Sequence, residues 1–84
     1  MSPEVFEFVM LPMTLVDIDD VTANEQASHQ YPWTSNNFYD SINSGYWAYV
    51  LKEKTNDLNS QLVGHCILMP GVDELHLLNI SILP

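Results

Sequence analysis

The chain opens with a short run that has the character of a β-strand. Residues 5–10 are apolar and partly aromatic or β-branched, Glu7 is their only polar member, and prolines stand on either side. Such a run between breakers is typical of a strand. We predict a strand from Val5 to Met10.

A helical pattern replaces the strand pattern after Pro12. Thr14 can cap a helix, and Asp17, three residues later, can complete a capping-box-like pair. The apolar stripe of this helix begins with Leu15, Ile18 and Val21. We predict a helix from about residue 15 to residue 28.

A second, shorter helix is predicted after a break at Pro32. Proline disfavours helical geometry in the residue before it, and Thr34 can cap the helix that follows. Phe38 and Ile42 lie one helical turn apart, and Gly45 is a natural terminator. We predict this helix from Ser35 to Asn43.

The second half of the chain has the period of strands. Residues 46–51 are rich in strand formers and lead into Lys52-Glu53-Lys54, a polar loop covers residues 55–60, and Gln61–Met69 resumes as a strand. Pro70-Gly71 is a turn signal, after which Glu74–Leu83 forms the last strand. The order β-α-α-β-β-β predicts an α+β domain with a mostly antiparallel four-stranded sheet and two helices.

The last predicted strand carries apolar residues on both faces. Simple alternation puts Leu77 and Leu83 on one face and Leu78, Ile80 and Ile82 on the other. A strand of this kind belongs inside a sheet, yet the chain ends one residue later. Two-fold antiparallel pairing of Glu74–Leu83 with a second copy would cover the exposed edge, so we expect a homodimer.

Charge narrows the partners that the chain can bind. Its 84 residues, enough for a single domain, contain 2 Lys, no Arg and 11 Asp or Glu, a net charge of −9. Neutralising phosphates requires Lys and Arg, so nucleic acids and anionic membrane surfaces are disfavoured. A basic peptide would suit this charge, although an acidic surface also serves solubility alone.

The cysteine and histidines add little chemistry. Cys66 alone cannot form an internal disulfide, which fits a reducing cytoplasm, and no signal peptide or membrane-spanning run is present. His29, His65 and His76 match no compact zinc pattern, so we predict no metal site. His65 and Cys66 are neighbours in a strand and therefore point to opposite faces.

Three local strings resemble the RimI-type ribosomal-protein-alanine N-acetyltransferases of the GNAT superfamily. They are Tyr31-Pro32-Trp33-Thr34 followed by Asn37-Phe38 and Asp40-Ser41, Leu62-Val63-Gly64-His65, and Met69-Pro70-Gly71-Val72-Asp73-Glu74-Leu75-His76-Leu77-Leu78-Asn79-Ile80-Ser81-Ile82. The last is similar to an "MPGVDEAHLLNI" stretch of that family, and the resemblance runs from about Met13 to Pro84. It implies that residues 1–84 form the N-terminal half of a GNAT fold.

The resemblance also implies a reaction and a cofactor. Family members transfer acetyl from acetyl-CoA to a protein N-terminal α-amino group, here that of a ribosomal protein with a basic N-terminus. Their fourth strand has a bulge whose backbone binds the pantetheine arm of acetyl-CoA. By resemblance, the corresponding residues here are Ile80, Ser81 and Ile82. Backbone groups suffice for this, so the Ser81 hydroxyl need not take part. The alternative is that these are ordinary strand residues.

Two aromatic residues are the candidates for peptide binding. By resemblance, Tyr31 and Trp33 lie in the loop between the helices, where the family contacts its substrate. An aromatic beside a proline at a helix junction can equally be a packing anchor. Both interpretations remain open at the level of sequence.

The family's catalytic groups have no counterpart among these 84 residues. Its Gly-rich phosphate loop follows the fourth strand, and the general base and the acidic tyrosine lie further on. The only glycines here are Gly45, Gly64 and Gly71, none of them in such a loop. We therefore expect a domain truncated before the pyrophosphate loop, with no catalytic residue and no activity alone. The alternatives are a self-associating, non-catalytic remnant and an acidic module that binds peptides.

Overall fold

A computed structural model describes residues 7–54 and 60–82 and shows one antiparallel sheet with two helices. The elements in chain order are β1 (Glu7–Pro12), α1 (Ile18–Ser28), α2 (Ser35–Asn43), β2 (Trp47–Lys54), β3 (Ser60–Pro70) and β4 (Leu75–Ile82). The strands lie in the order β1-β2-β3-β4, each antiparallel to its neighbour. The predicted α+β class and element order are confirmed.

The helix boundaries follow the capping residues. Thr34 accepts a hydrogen bond from the Asn37 backbone N–H, and the Thr34 N–H donates to the Asn37 side chain at 2.9 Å, so α2 begins where predicted. Gly45 has φ +80°, a conformation that glycine adopts without strain, and it ends the helix region. The Thr14 N–H and hydroxyl both donate to the Asp17 carboxylate, at the start of the 3-10 turn that precedes α1.

The first strand and first helix differ in detail from the predictions. β1 extends to Pro12, whereas Val5 and Phe6 of the predicted strand lie outside the described residues. Residues 15–17 form a 3-10 turn before α1 starts at Ile18. Leu15 is therefore 51% exposed, and its predicted place in the buried stripe is wrong.

A small core joins both helices to one face of the sheet. Its buried apolar residues are Met13, Ile18, Val21, Phe38, Val50 and Ile67. The Phe38 ring is fully buried and packs edge-on against the His65 ring, with centroids 5.3 Å apart. Both helices are thus on the side of the sheet from which Val50 and Ile67 project.

The faces of β4 differ from simple alternation because β4 has one extra residue. Leu77 pairs with Leu68 and Asn79 pairs with Ile67, so Leu78 is a bulge between them. Leu77 therefore shares a face with Ile80, which pairs with Cys66, and the prediction that put them on opposite faces is wrong. Leu83 lies outside the described residues.

The helix-facing side of β4 is polar and buried. Asn79 is 9% exposed and Ser81 is 5% exposed, whereas Ile80 and Ile82 on the other side are more than half exposed. The prediction that apolar side chains would occupy both faces is therefore wrong for the described part of this strand. The prediction that β4 lies at an edge of the sheet is confirmed for the described strands.

Gly64 fixes the close approach of β3 to β4. A Cβ at this position would lie 2.9 Å from the Ser81 carbonyl oxygen, closer than side-chain carbons come to backbone atoms. The glycine therefore allows the pairing of residue 64 with Ile82. Within the described ranges, neither helix is long and apolar enough to cross a membrane.

Candidate functional site

A cleft lies between the loop that joins the helices and the edge strand β4. It has a volume of about 350 Å³ and is lined by Glu25, His29, Tyr31, Trp33, Leu77, Leu78, Asn79 and Ile80. The loop residues form one wall, the bulged part of β4 forms the other, and α1 supplies the polar side chains between them. The candidate peptide residues and the first candidate cofactor residue therefore line one cleft.

Glu25 is the most heavily hydrogen-bonded side chain of this cleft. Its carboxylate is almost wholly buried, and atom Oε2 accepts from the Trp33 backbone N–H and from Asn79 Nδ2, both at 2.9 Å. Atom Oε1 lies 3.0 Å from His65 Nε2 and 3.4 Å from His29 Nε2. Donors from α1, the loop, β3 and β4 thus converge on one carboxylate.

These donors decide the ionisation of Glu25. Burial alone would raise its pKa, but the hydrogen bonds from the Trp33 N–H, His65 and Asn79 outweigh burial and hold the pKa below its ordinary value. Glu25 is therefore a carboxylate at neutral pH. It contributes a buried negative charge beside the cleft.

His65 is held neutral beside this carboxylate. Its side chain has no exposed surface, and burial lowers its pKa in spite of the opposing effect of Glu25. An imidazolium would also carry an Nδ1–H, and Nδ1 has no hydrogen-bond partner. The neutral ring therefore donates from Nε2 to Glu25 and leaves Nδ1 unprotonated.

His29 connects Glu25 to the backbone of β4. Its Nε2 lies 3.1 Å from the Ile80 carbonyl oxygen and 3.4 Å from Glu25 Oε1, and both atoms are acceptors. Nε2 therefore carries the proton and donates to this pair. The His29 side chain is 39% exposed, so the link lies at the open end of the cleft.

The two aromatic candidates have different surroundings. Tyr31 is 86% exposed, whereas Trp33 is half-buried and its ring packs at 5.3 Å from Phe38. Trp33 therefore packs against the core and lines the cleft at the same time. Tyr31 has the exposure of a side chain available to a ligand.

The three candidate cofactor positions follow the bulge of β4. Ile80 lines the cleft, the Ser81 side chain is buried on the helix side, and Ile82 is 60% exposed on the opposite side. Because β4 is an edge among the described strands, one row of its backbone groups has no strand partner. An extended ligand could pair with these groups, as an added strand does.

No metal centre is evident in residues 7–54 and 60–82. No three His, Cys, Asp or Glu side chains come together there in a way that could hold an ion. His76 lies 3.2 Å from Glu74 on the surface, but this is a single pair.

Sequence reasoning missed Glu25 and Asn79, which organise the cleft. Glu25 contacts residues 40 and 54 positions away, and no local pattern encodes such contacts. One signal was available, because Glu25 lies on the same helical stripe as Ile18 and Val21. An acidic residue on an apolar stripe predicts a buried, partnered carboxylate.

The order and pairing of the described helices and strands recur in a solved structure. No protein-family model matches the sequence, and no curated protein matches it. Among solved structures, the chain is similar to the ribosomal-protein-S18-alanine N-acetyltransferase from Escherichia coli, with a TM-score of 0.75 and 22% identity. The similarity covers 93% of this chain and 47% of that enzyme. The chain thus spans about half the length of the enzyme it matches, and the likeness shows a shared fold.

Proposed function

We propose that this chain forms the acceptor side of an acetyl-CoA-dependent N-acetyltransferase, and that its cleft receives the N-terminal segment of a basic protein. The observation that carries the proposal is the cleft itself, with Tyr31 and Trp33 on one wall and the edge strand β4 on the other. An extended peptide can pair with a strand edge through its backbone while an aromatic wall contacts its side chains. The shared fold with an N-acetyltransferase supports this assignment.

Electrostatics favours a basic acceptor. The chain has a net charge of −9, and the Glu25 carboxylate lies beside the cleft. A field of this sign raises the local concentration of cationic peptides and is screened by salt. The preferred ligand is thus a peptide that has a free α-ammonium group and Lys or Arg close behind it. The N-terminus of a ribosomal protein has this chemistry.

The backbone of Ile80, Ser81 and Ile82 is the proposed support for the pantetheine arm of acetyl-CoA. These residues follow the bulge at Leu78, and a bulge interrupts regular pairing and re-aims the groups around it. Acetyl-CoA supplies the acetyl group as a thioester. In the transfer, the amine nitrogen forms the new C–N bond, the C–S bond breaks, and the amine proton is lost as the thiol leaves.

We assign no proton carrier for this transfer to the present residues, and we propose that the chain alone is inactive. The resemblance locates the phosphate loop, the base and the acid in the part of the fold that follows β4. A complete enzyme of that family would need this part of the fold. The cytoplasm, where acetyl-CoA and ribosomal proteins occur together, is the proposed compartment.

Calorimetric titration and a transfer assay test the proposal. A basic peptide with a free N-terminus should bind, the same peptide with an acetylated N-terminus should bind more weakly, and added salt should weaken both. Radiolabelled acetyl-CoA should give negligible transfer to the peptide. Equal binding of both peptides would contradict the acceptor assignment, and clear turnover would contradict the proposed inactivity. Salt-sensitive binding with no preference for the free amine would favour the alternative of an acidic peptide-binding module.

Self-association through β4 is a second candidate property. It is favoured by the edge position of this strand and by the exposure of Leu78, Ile80 and Ile82, which are 38%, 52% and 60% exposed. Antiparallel pairing of two Glu74–Leu83 segments would cover the edge in both copies. Sedimentation velocity should then show a homodimer. A monomer at high concentration would contradict this candidate.

A further inference from the structure

We infer that Glu25 is a positioning residue that sets the separation between the two walls of the acceptor cleft. The inference rests on the proposed function, because that function makes the cleft an acceptor site. The hydrogen bonds of Glu25 are present without any ligand. One wall is the loop at Tyr31 and Trp33, and the other is β4 from Leu77 to Ile80. The Glu25 carboxylate binds to both.

A single oxygen atom joins the walls directly. Glu25 Oε2 accepts from the Trp33 backbone N–H of the loop and from Asn79 Nδ2 of β4, each at 2.9 Å. The loop and the strand are thereby held at a separation fixed by two short hydrogen bonds to a charged group. Neither wall can move away without losing one of them.

The second oxygen fixes the carboxylate itself. Oε1 accepts from His65 Nε2 at 3.0 Å, and His65 belongs to β3 in the middle of the sheet. His29 Nε2, at 3.4 Å from Oε1, continues to the Ile80 carbonyl oxygen at 3.1 Å. The hydrogen bond from His65 therefore fixes the carboxylate relative to the sheet. His29 provides a second link between the carboxylate and β4.

A carboxylate fits this arrangement. All four neighbouring groups donate, and an amide offers one acceptor oxygen and one NH₂ donor. In Glu25→Gln the NH₂ group can face the two histidines, whose neutral rings can accept at Nε2 in their other tautomer. That variant can keep the oxygen that joins the walls, whereas Glu25→Ala removes both oxygens. Aspartate would be one methylene too short to reach the same donors.

The titratable groups that face Glu25 are His29, the residue that follows α1, and His65 from β3. The loop and β4 contribute uncharged donors, the Trp33 N–H and the Asn79 amide. Protonating Glu25 would remove an acceptor that both walls share. The resonances of these two donors should therefore respond together to acid.

The test compares Glu25→Ala with Glu74→Ala in the full chain. Glu74 is an exposed carboxylate, with 69% side-chain exposure, so the second variant makes the same chemical change outside the cleft. In Glu25→Ala we expect hydrogen-exchange protection of the Trp33 amide to fall about tenfold or more, while the amides of Val50 and Ile67 keep theirs. Glu74→Ala should leave the protection of Trp33 unchanged. Unchanged protection of Trp33 in Glu25→Ala would overturn the inference.

A measurement on the unsubstituted chain covers the case in which Glu25→Ala does not fold. The Trp33 backbone N–H and the Asn79 side-chain NH₂ should shift in NMR spectra with one common midpoint below pH 4.5, the ordinary pKa of a glutamate. Separate midpoints, or a shift in only one of the two groups, would overturn the inference. A carboxyl group that did not bind both donors would not give the Trp33 N–H and the Asn79 NH₂ a common midpoint.

Peptide titration of the same variants separates this inference from the proposed function. We expect the affinity for the basic free-amine peptide to fall about tenfold in Glu25→Ala and to be unaffected in Glu74→Ala. If Trp33 loses protection in Glu25→Ala while the original chain binds no peptide, the positioning role of Glu25 holds and the proposed function fails. If peptide binds and Trp33 keeps its protection in Glu25→Ala, the positioning role fails and the proposed function holds.

Discussion

Replacing Asn79 by aspartate would place a second carboxyl group against Glu25. Asn79 donates to Glu25 Oε2 at 2.9 Å and is 9% exposed. The change in shape is small, but a donor becomes an acceptor with a like charge. The energetic effect is therefore almost purely electrostatic.

The cost of Asn79→Asp follows from two contributions. A hydrogen bond to a charged group is worth about 1.5–3 kcal/mol, and breaking a buried charged arrangement costs about 3–5 kcal/mol in all. We expect the free energy of unfolding to fall by about 3–5 kcal/mol at pH 7. The total stability of an 84-residue domain is about 4–13 kcal/mol, so the variant should be barely folded at 25 °C or should melt more than about 10 °C lower.

Asn36→Asp is the matched control. Asn36 is exposed in the first turn of α2, where a negative charge interacts favourably with the helix N-terminus. Both variants have a net charge of −10, since each adds one carboxylate to −9. Urea unfolding followed by circular dichroism should show that Asn79→Asp strongly lowers the free energy of unfolding, whereas Asn36→Asp changes it by no more than about 0.5 kcal/mol. Equal stability of the two variants would refute the buried carboxylate network.

The penalty of Asn79→Asp should also depend on pH. Repulsion by Glu25 raises the folded-state pKa of the introduced carboxyl group above its unfolded value. Below the unfolded pKa the group is neutral in both states and the ionic penalty vanishes. The difference in stability from the unsubstituted chain should therefore grow as the pH rises from about 4 to 7.

Three further predictions concern acid, the core and the thiol. The folded-state pKa values of His65 and Glu25 are both below their ordinary values of 6.5 and 4.5, so the unfolded chain binds more protons than the folded chain. The free energy of unfolding should therefore fall as the pH drops below 6.5, and again below 4.5. An increase in the urea midpoint on acidification would contradict this. Phe38→Ala should cost about 3–5 kcal/mol in urea unfolding because the ring is fully buried, whereas Tyr39→Ala, 39% exposed, should cost far less. Burial raises the pKa of the Cys66 thiol, so labelling by iodoacetamide at pH 7 should be slow until urea unfolds the chain, and rapid labelling of the folded chain would refute this.

Local signals predicted the order of the helices and strands and the bounds of α2. Thr34 caps α2, and Gly45 with positive φ ends that region. These effects act within one helical turn, so sequence pattern captures them well. The antiparallel pairing of β2, β3 and β4 also followed, because short connections favour antiparallel neighbours.

Effects that depend on distant partners were not predictable in the same way. The bulge at Leu78 shifts the register of β4 by one residue, and alternation counted along the sequence then assigns Leu77 to the wrong face. On the polar face of β4, the partner of the buried Asn79 amide is Glu25 of α1, 54 residues away. A hydrogen bond offsets the cost of burying such an amide, and its partner here lies in another element.

NMR mapping of peptide binding is the measurement that tests the central claim most directly. Titrating the ¹⁵N-labelled chain with a basic peptide that has a free α-amine should shift the Trp33 indole and the backbone amides of Tyr31, Leu77, Leu78 and Ile80. The Nα-acetylated peptide should shift the same signals less at equal concentration. Shifts that avoid both walls of the cleft, or that are the same for the two peptides, would contradict the assignment of this cleft to an α-amino acceptor.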